Sequence, residues 1–138
     1  MNNESFLIIF KDKKTHARAG ILKTKSGKIE TPFFMPVATK TSVKHLSPAE
    51  LESMNANAII SNSFILSLQP GTDTIKNAGG IAKFMTYGGN VFTDSGGFQM
   101  YSPALYISSK EEGVFFRNPF SGEKIFMSPE KVCKYKLI

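Results

Sequence analysis

The residues with the greatest chemical capacity are Thr93 to Ser102, TDSGGFQMYS. A short apolar run, Val91-Phe92, delivers the chain into Asp94. Such a run reads as a buried strand, so the carboxylate falls where a strand ends and a loop begins. Gly96 and Gly97 remove Cβ atoms just there. Backbone can then approach a ligand or take a positive φ. Asp94 can accept hydrogen bonds or a proton; Ser95 offers a hydroxyl, Phe98 a flat ring and Gln99 an amide. Together these suit a flat, hydrogen-bonding ligand such as a nucleobase. The same residues also suit a plain turn, with Asp as cap and Gly for left-handed geometry, and Phe98 equally suits a core position.

The elements that must position Asp94 can be read from the flanking pattern. Phe6 to Phe10 is a compact apolar run and a strand; Ala19–Thr24 and Lys28–Thr31 read as two more around Lys25-Ser26-Gly27, a hairpin with Gly in its turn. Phe33 to Val37 reads as a strand that must end near Pro36, since proline cannot donate to a ladder. Ser47-Pro48-Ala49-Glu50 is a helix start with a capping box and proline in the first turn. That helix should reach Asn55, with Leu46, Leu51 and Met54 giving an apolar face. Ala58–Ile60 is the next strand, ending in Ser61-Asn62-Ser63; Phe64–Leu68 continues apolar into Gln69-Pro70-Gly71, a breaker. Thr72 or Asp73 should cap a short helix to Asn77, stopped by Gly79-Gly80, and Ile81–Met85 a further turn before Gly88-Gly89.

Strand and helix alternate in this way up to Val91–Thr93, which predicts an α/β fold with a parallel sheet. Three strands then end in ligand-capable residues, Thr39, Asn62 and Asp94. Strand ends of this kind carry the chemistry in (β/α)8 barrels and in open sheets alike, and the pattern does not choose between the two. Beyond Ser102, Gly113–Arg117 and Lys124–Phe126 read as a hairpin inserted after the third strand. Ser128-Pro129-Glu130 opens a helix expected to run to Leu137 and Ile138. No linker or repeat divides the 138 residues.

Composition narrows the partners. Seventeen basic against eleven acidic residues give a net charge of +6, concentrated near both ends, and excess positive charge favours a polyanion such as nucleic acid. No run of about 18 apolar residues suggests a membrane span. In MNNESFLIIFKDKK the charge follows the apolar stretch, the wrong order for a secretory signal; a cytoplasmic home is expected. Cys133 is the only cysteine, so no internal disulfide or cysteine-based zinc site can form; a packed thiol is expected. His16 reads as exposed among lysines and His45 as structural or solvated, which leaves no metal site. The glycines of GGNVFTDSGG lack dinucleotide-binding spacing.

The motifs also carry a resemblance. TDSGGFQ, TPFFMPV (Thr31–Val37), Val43-Lys44, Ser61-Asn62-Ser63-Phe64, LQPG (Leu68–Gly71), Glu111-Glu112-Gly113-Val114 and Ser128-Pro129-Glu130 resemble, in order, the tRNA-guanine transglycosylases (queuine tRNA-ribosyltransferases). The likeness runs from about Ala17 to Glu130. It implies an N-terminal β-meander (residues 1–31), then the first three βα units of a TIM barrel (32–102). A hairpin insertion (103–127) and the truncated start of the next helix (128–138) would follow, making one incomplete domain.

The activity implied is exchange of guanine at the tRNA anticodon wobble position for queuine or a 7-deazaguanine precursor. By the same resemblance Asp94 contacts the exchanged base and does acid/base work. Ser95, Gly96, Gly97 and Phe98 line the base pocket, Phe98 by stacking. Asn62 lies near the ribose, and Val37 packs near the sugar. Ile65 departs from the family, which commonly has histidine there. The family's aspartate nucleophile and zinc site lie further downstream and are absent from this chain. A homodimer or a complementing chain is a possible partner. The alternative is a truncated, non-catalytic fragment that binds tRNA or a protein.

Overall fold

The computed structural model describes residues 5–135. An antiparallel meander comes first: β1 (Phe6–Lys11), β2 (Arg18–Thr24) and β3 (Gly27–Thr31), in spatial order β1-β2-β3. The turn between β2 and β3 is Lys25-Ser26, and Thr24 closes it by donating its hydroxyl to the Gly27 carbonyl, 3.0 Å.

The expected strand Phe33–Val37 is not formed. It survives as an isolated parallel bridge between Val37 and Ile60. Pro36 can only accept, from the Ile60 amide (3.0 Å), and Ala38 donates to the Ile60 carbonyl (2.7 Å). Pro32 and Pro36 remove two of the donors a ladder would need, so pairing is limited to this one row.

Helix α1 (Pro48–Ser53) carries the predicted capping box, Ser47 and Glu50 satisfying each other's backbone amides. It stops two residues short of Asn55, whose φ of 56° is the left-handed turn that ends many helices. Strand β4 (Ala58–Asn62) follows, and pairs in parallel with β5 (Asn90–Asp94), Asn62 opposite Asp94. Between them the apolar stretch that leads into Gln69-Pro70-Gly71 is helical: α2 (Ser63–Leu66), then one wide turn over Ser67–Gly71 with a kink at Gln69. Helix α3 (Thr72–Asn77) has no side-chain cap; Gly71 at φ 99° takes the place expected of Thr72 or Asp73. Helix α4 (Ile81–Met85) ends at Thr86, in left-handed geometry, before the glycines expected to stop it.

After β5 comes the short helix α5 (Gly97–Met100). The insertion is a three-stranded antiparallel sheet, not a hairpin: β6 (Tyr106–Lys110), β7 (Gly113–Arg117) and β8 (Lys124–Met127). Strand β6 escapes the sequence pattern because Ser108-Ser109 interrupts its alternation, and its register with β7 shifts just before them, between Tyr106 and Ser108. Helix α6 (Pro129–Tyr135) follows; its expected extension to Leu137 and Ile138 lies outside the described residues. Cys133 is exposed, not packed.

Two buried clusters hold these pieces. One joins Ala38, Leu51, Ile59, Leu66, Ile75, Ile81, Met85 and Tyr87, around the parallel pair. The other joins Phe64, Ile65, Met100, Phe116 and Met127, and so ties α2 and α5 to the inserted sheet. No helix among the described residues is long and apolar enough to cross a membrane.

Candidate active site

The parallel pairing brings the two best sequence candidates side by side. Asn62 and Asp94 are the last residues of β4 and β5 and stand in register. Asn62 is 3% exposed, so both ends of its amide need partners. Its Oδ1 accepts from the Ile65 amide, 2.8 Å, capping α2. Its Nδ2 donates to Asp94 Oδ2, 3.2 Å. Asn62 therefore ends a strand, starts a helix and holds a carboxylate at once. Ser63, the next residue, donates its hydroxyl to the Asp94 carbonyl. Asp94 is fixed by backbone and by side chain, and it remains half-buried.

The two glycines after it are not equivalent. Gly96 is buried with φ 66°; a Cβ there would collide with the Phe64 side chain and stand 3.0 Å from Asn62 Oδ1. Only glycine can pass this close to the Asn62 cap. A Cβ on Gly97 would meet nothing nearer than Ser95 Oγ at 3.8 Å. Gly97 opens α5, and its neighbour Phe98 is 88% exposed. Of the two readings of Phe98, the core position is overturned and a free ring face remains. Tyr101, next to α5, stacks on Tyr106 at 5.4 Å between centroids. Ser95 is half-buried between the carboxylate and this helix.

Other candidates stand apart. Val37 is 61% exposed and sits in the row of Ile60, two residues short of the strand ends. Thr39 lies exposed two residues past that bridge. Ile65 is buried in the second cluster, facing apolar neighbours. His16 and His45 are exposed. No group of three or more His, Cys, Asp or Glu side chains that could hold a metal exists among the described residues. The donor set for the zinc expected by resemblance is not met on this part of the chain.

Sequence reasoning missed two residues that shape the site. Ser63 anchors the Asp94 backbone. Phe64 forms the wall against which Gly96 packs, and its ring meets Phe116 edge-on at 4.9 Å. Both follow Asn62 directly, and the helical capping pattern that places them begins with an Asn, a common helix N-cap.

A carboxylate, an exposed ring and glycine-lined backbone at the end of a parallel strand pair define a mixed α/β protein with a site suited to a planar, hydrogen-bonding ligand. Comparison with known proteins gives that class a family. The family model for queuine tRNA-ribosyltransferase matches residues 12–137, and the chain belongs to that family. Queuine tRNA-ribosyltransferases of Oceanobacillus iheyensis (51% identical over 131 residues, 95% of this chain and 35% of the relative) and Geobacillus kaustophilus (49% over 129 residues, 94% and 34%) are similar to it. So is that of Bacillus subtilis, 50% identical over 122 residues, 88% of this chain and 32% of the relative. The chain spans about a third of the length of the curated relatives it matches.

Proposed function

We propose that this chain supplies the base-handling part of a tRNA-guanine transglycosylase, which exchanges guanine at the anticodon wobble position for queuine or a 7-deazaguanine precursor. The observation that carries the reading is Asp94 held at the end of β5 by Asn62 and Ser63, with the exposed ring of Phe98 on the helix that follows. Asp94 accepts from the ring N–H and amino groups of a guanine-like base and exchanges a proton with it. Phe98 stacks on the base, a contact worth roughly 1–3 kcal/mol. Ser95, Gly96 and Gly97 line the pocket with backbone and a hydroxyl. Asn62, the residue the family resemblance sets near the ribose, is buried and steadies the carboxylate.

Base exchange at a ribose needs a nucleophile on the anomeric carbon, so that guanine leaves with its bonding electrons and a covalent tRNA intermediate forms. The chain has three aspartates, Asp12, Asp73 and Asp94. Asp12 caps the loop after β1, accepting from the Lys14 and Thr15 amides, and Asp73 is exposed on α3. Neither is at the site. The nucleophile and the zinc site are therefore supplied by polypeptide beyond these residues, which would also complete the barrel begun by β4 and β5. That polypeptide is a continuation or a complementing chain. The setting is the cytoplasm, where tRNA is modified.

The span of about a third of the relatives also favours a second reading, a non-catalytic fragment that binds tRNA or a partner. Labelled guanine, unmodified tRNA and an Asp94→Asn variant separate the two, in the protein as its cell makes it. A transglycosylase loses exchange on this change and keeps most of its tRNA affinity, because phosphate contacts dominate affinity. Exchange at the wild-type rate would rule out the role given to Asp94. A binding fragment shows no exchange at all and responds to lysine changes alone.

A further inference from the structure

Four lysine–ring contacts occur among the described residues, and all of their rings belong to β7, β8 or the turn between them. Lys124 and Lys110 place their ammonium groups 4.5 Å and 5.8 Å from the Phe115 centroid. Lys131 stands 5.9 Å from that of Phe126, and Lys40 5.0 Å from that of Phe120. Phe115 and Phe126 are register partners, their centroids 4.8 Å apart. Side chains alternate across a strand. Phe116 and Met127 are buried, so Phe115 and Phe126 share the opposite face, where both are half-buried.

We propose that this outer face of the inserted sheet binds an unpaired stretch of RNA, separately from the base site at Asp94. Two adjacent rings offer stacking surface for bases, and three lysines offer charge for the phosphates between them. The lysines lie on the rings in the free protein; on binding they swing to phosphate oxygens and release the ring faces. Base–aromatic stacking tolerates any sequence, but it needs bases that are not already stacked in a duplex, so a loop is the matching ligand. The charge is aligned for it. Glu111, Glu112 and Glu123 fall in the turns at the ends of the strands, and cations occupy the face itself.

The sheet is also joined to the site side. Lys40 follows the Val37–Ile60 bridge, which runs parallel to β4 and β5. Its contact with Phe120 therefore brings the β7–β8 turn to the end of the sheet where Asp94 lies. This inference rests on the reading of tRNA as the substrate.

The test compares wild type with Phe115→Leu/Phe126→Leu and with Lys110→Gln/Lys124→Gln/Lys131→Gln, in the protein as its cell makes it. Leucine keeps the sheet apolar, and the lysines are exposed; melting curves verify that each variant is folded. The probes are unmodified tRNA, a short unpaired RNA, duplex RNA and polyglutamate. The leucine pair should weaken tRNA and unpaired RNA about tenfold and leave duplex RNA unchanged. The glutamine triple should flatten the log–log salt dependence of binding by about two. Wild-type affinity in both folded variants overturns the surface. Polyglutamate bound as tightly as RNA, and equally indifferent to the leucine pair, overturns it too. If guanine exchange proceeds while both variants keep tRNA affinity, the surface falls and the base-exchange reading stands. If no exchange occurs and both variants lose RNA, the surface stands and the base-exchange reading falls.

Discussion

At the scale of single residues, the site depends on which atoms are missing as much as on which are present. Gly96 passes the Phe64 side chain and the Asn62 amide in left-handed geometry. Gly96→Ala is expected to cost about 2 kcal/mol or more, from backbone strain and collision together. Gly97→Ala should cost less than about 1 kcal/mol, because the added methyl enters open space. Thermal denaturation of both variants checks the contrast; equal losses would show that the pair acts only as a generic loop. Asp94 and Asn62 were legible because each ends an apolar run. The difference between the two glycines was not, because it is set by Phe64, thirty-odd positions away in the chain and brought near only by the parallel pairing. Phe98 was ambiguous for a related reason: an aromatic on a four-residue helix has no periodicity to assign it a face.

At the scale of elements, the inserted sheet braces the site. Phe64 is pressed between Gly96 and Phe116, and Phe116 is fully buried. Phe116→Ala should cost about 3–5 kcal/mol and loosen the Asn62–Asp94 contact. Far-UV spectra and melting curves give the first, and a loss of base affinity larger than that from Phe120→Ala gives the second. The cap of α1 is a separate device. Removing the Ser47 hydroxyl should cost about 1 kcal/mol. The Ser47 hydroxyl, and then its amide, hold the Glu50 carboxyl below its ordinary value. A depressed acid stabilises the fold above its unfolded value, and that contribution disappears as pH falls through the folded value. The penalty of Ser47→Ala, read from melting curves, should therefore hold from pH 7 down to the ordinary glutamate value of about 4.3 and shrink below it. This helix was legible to its first residue, since capping is local chemistry. Strand Phe33–Val37 was not, because a row of hydrogen bonds depends on which donors its neighbour can meet. Helix α2 left no helical signal in the sequence, because four residues are too few to show a period.

At the scale of the molecule, much apolar surface is left open. A groove of about 630 Å³ lies between β3, the segment 33–37 and α1, lined by Ile29, Phe33, Phe34, Val37, Leu46 and Met54. Phe34 and Val37 are 81% and 61% exposed, and surfaces of this kind are covered in stable assemblies or promote aggregation. The 138-residue chain alone should bind a hydrophobic dye strongly, and a polypeptide of the length of its relatives should not. Equal dye binding by both would mean that the groove stays open in the longer protein. Sequence alternation foresaw the α/β class, and among the described residues the parallel sheet is the single pair β4 and β5. The account as a whole stands on the carboxylate and ring at the end of β5. The most direct test is calorimetric titration of guanine and a 7-deazaguanine base into the wild-type protein as its cell makes it, and into its folded Asp94→Asn and Phe98→Ala variants. The account predicts binding that is lost in the first variant and weakened about tenfold or more in the second. Wild-type affinity in both would contradict it.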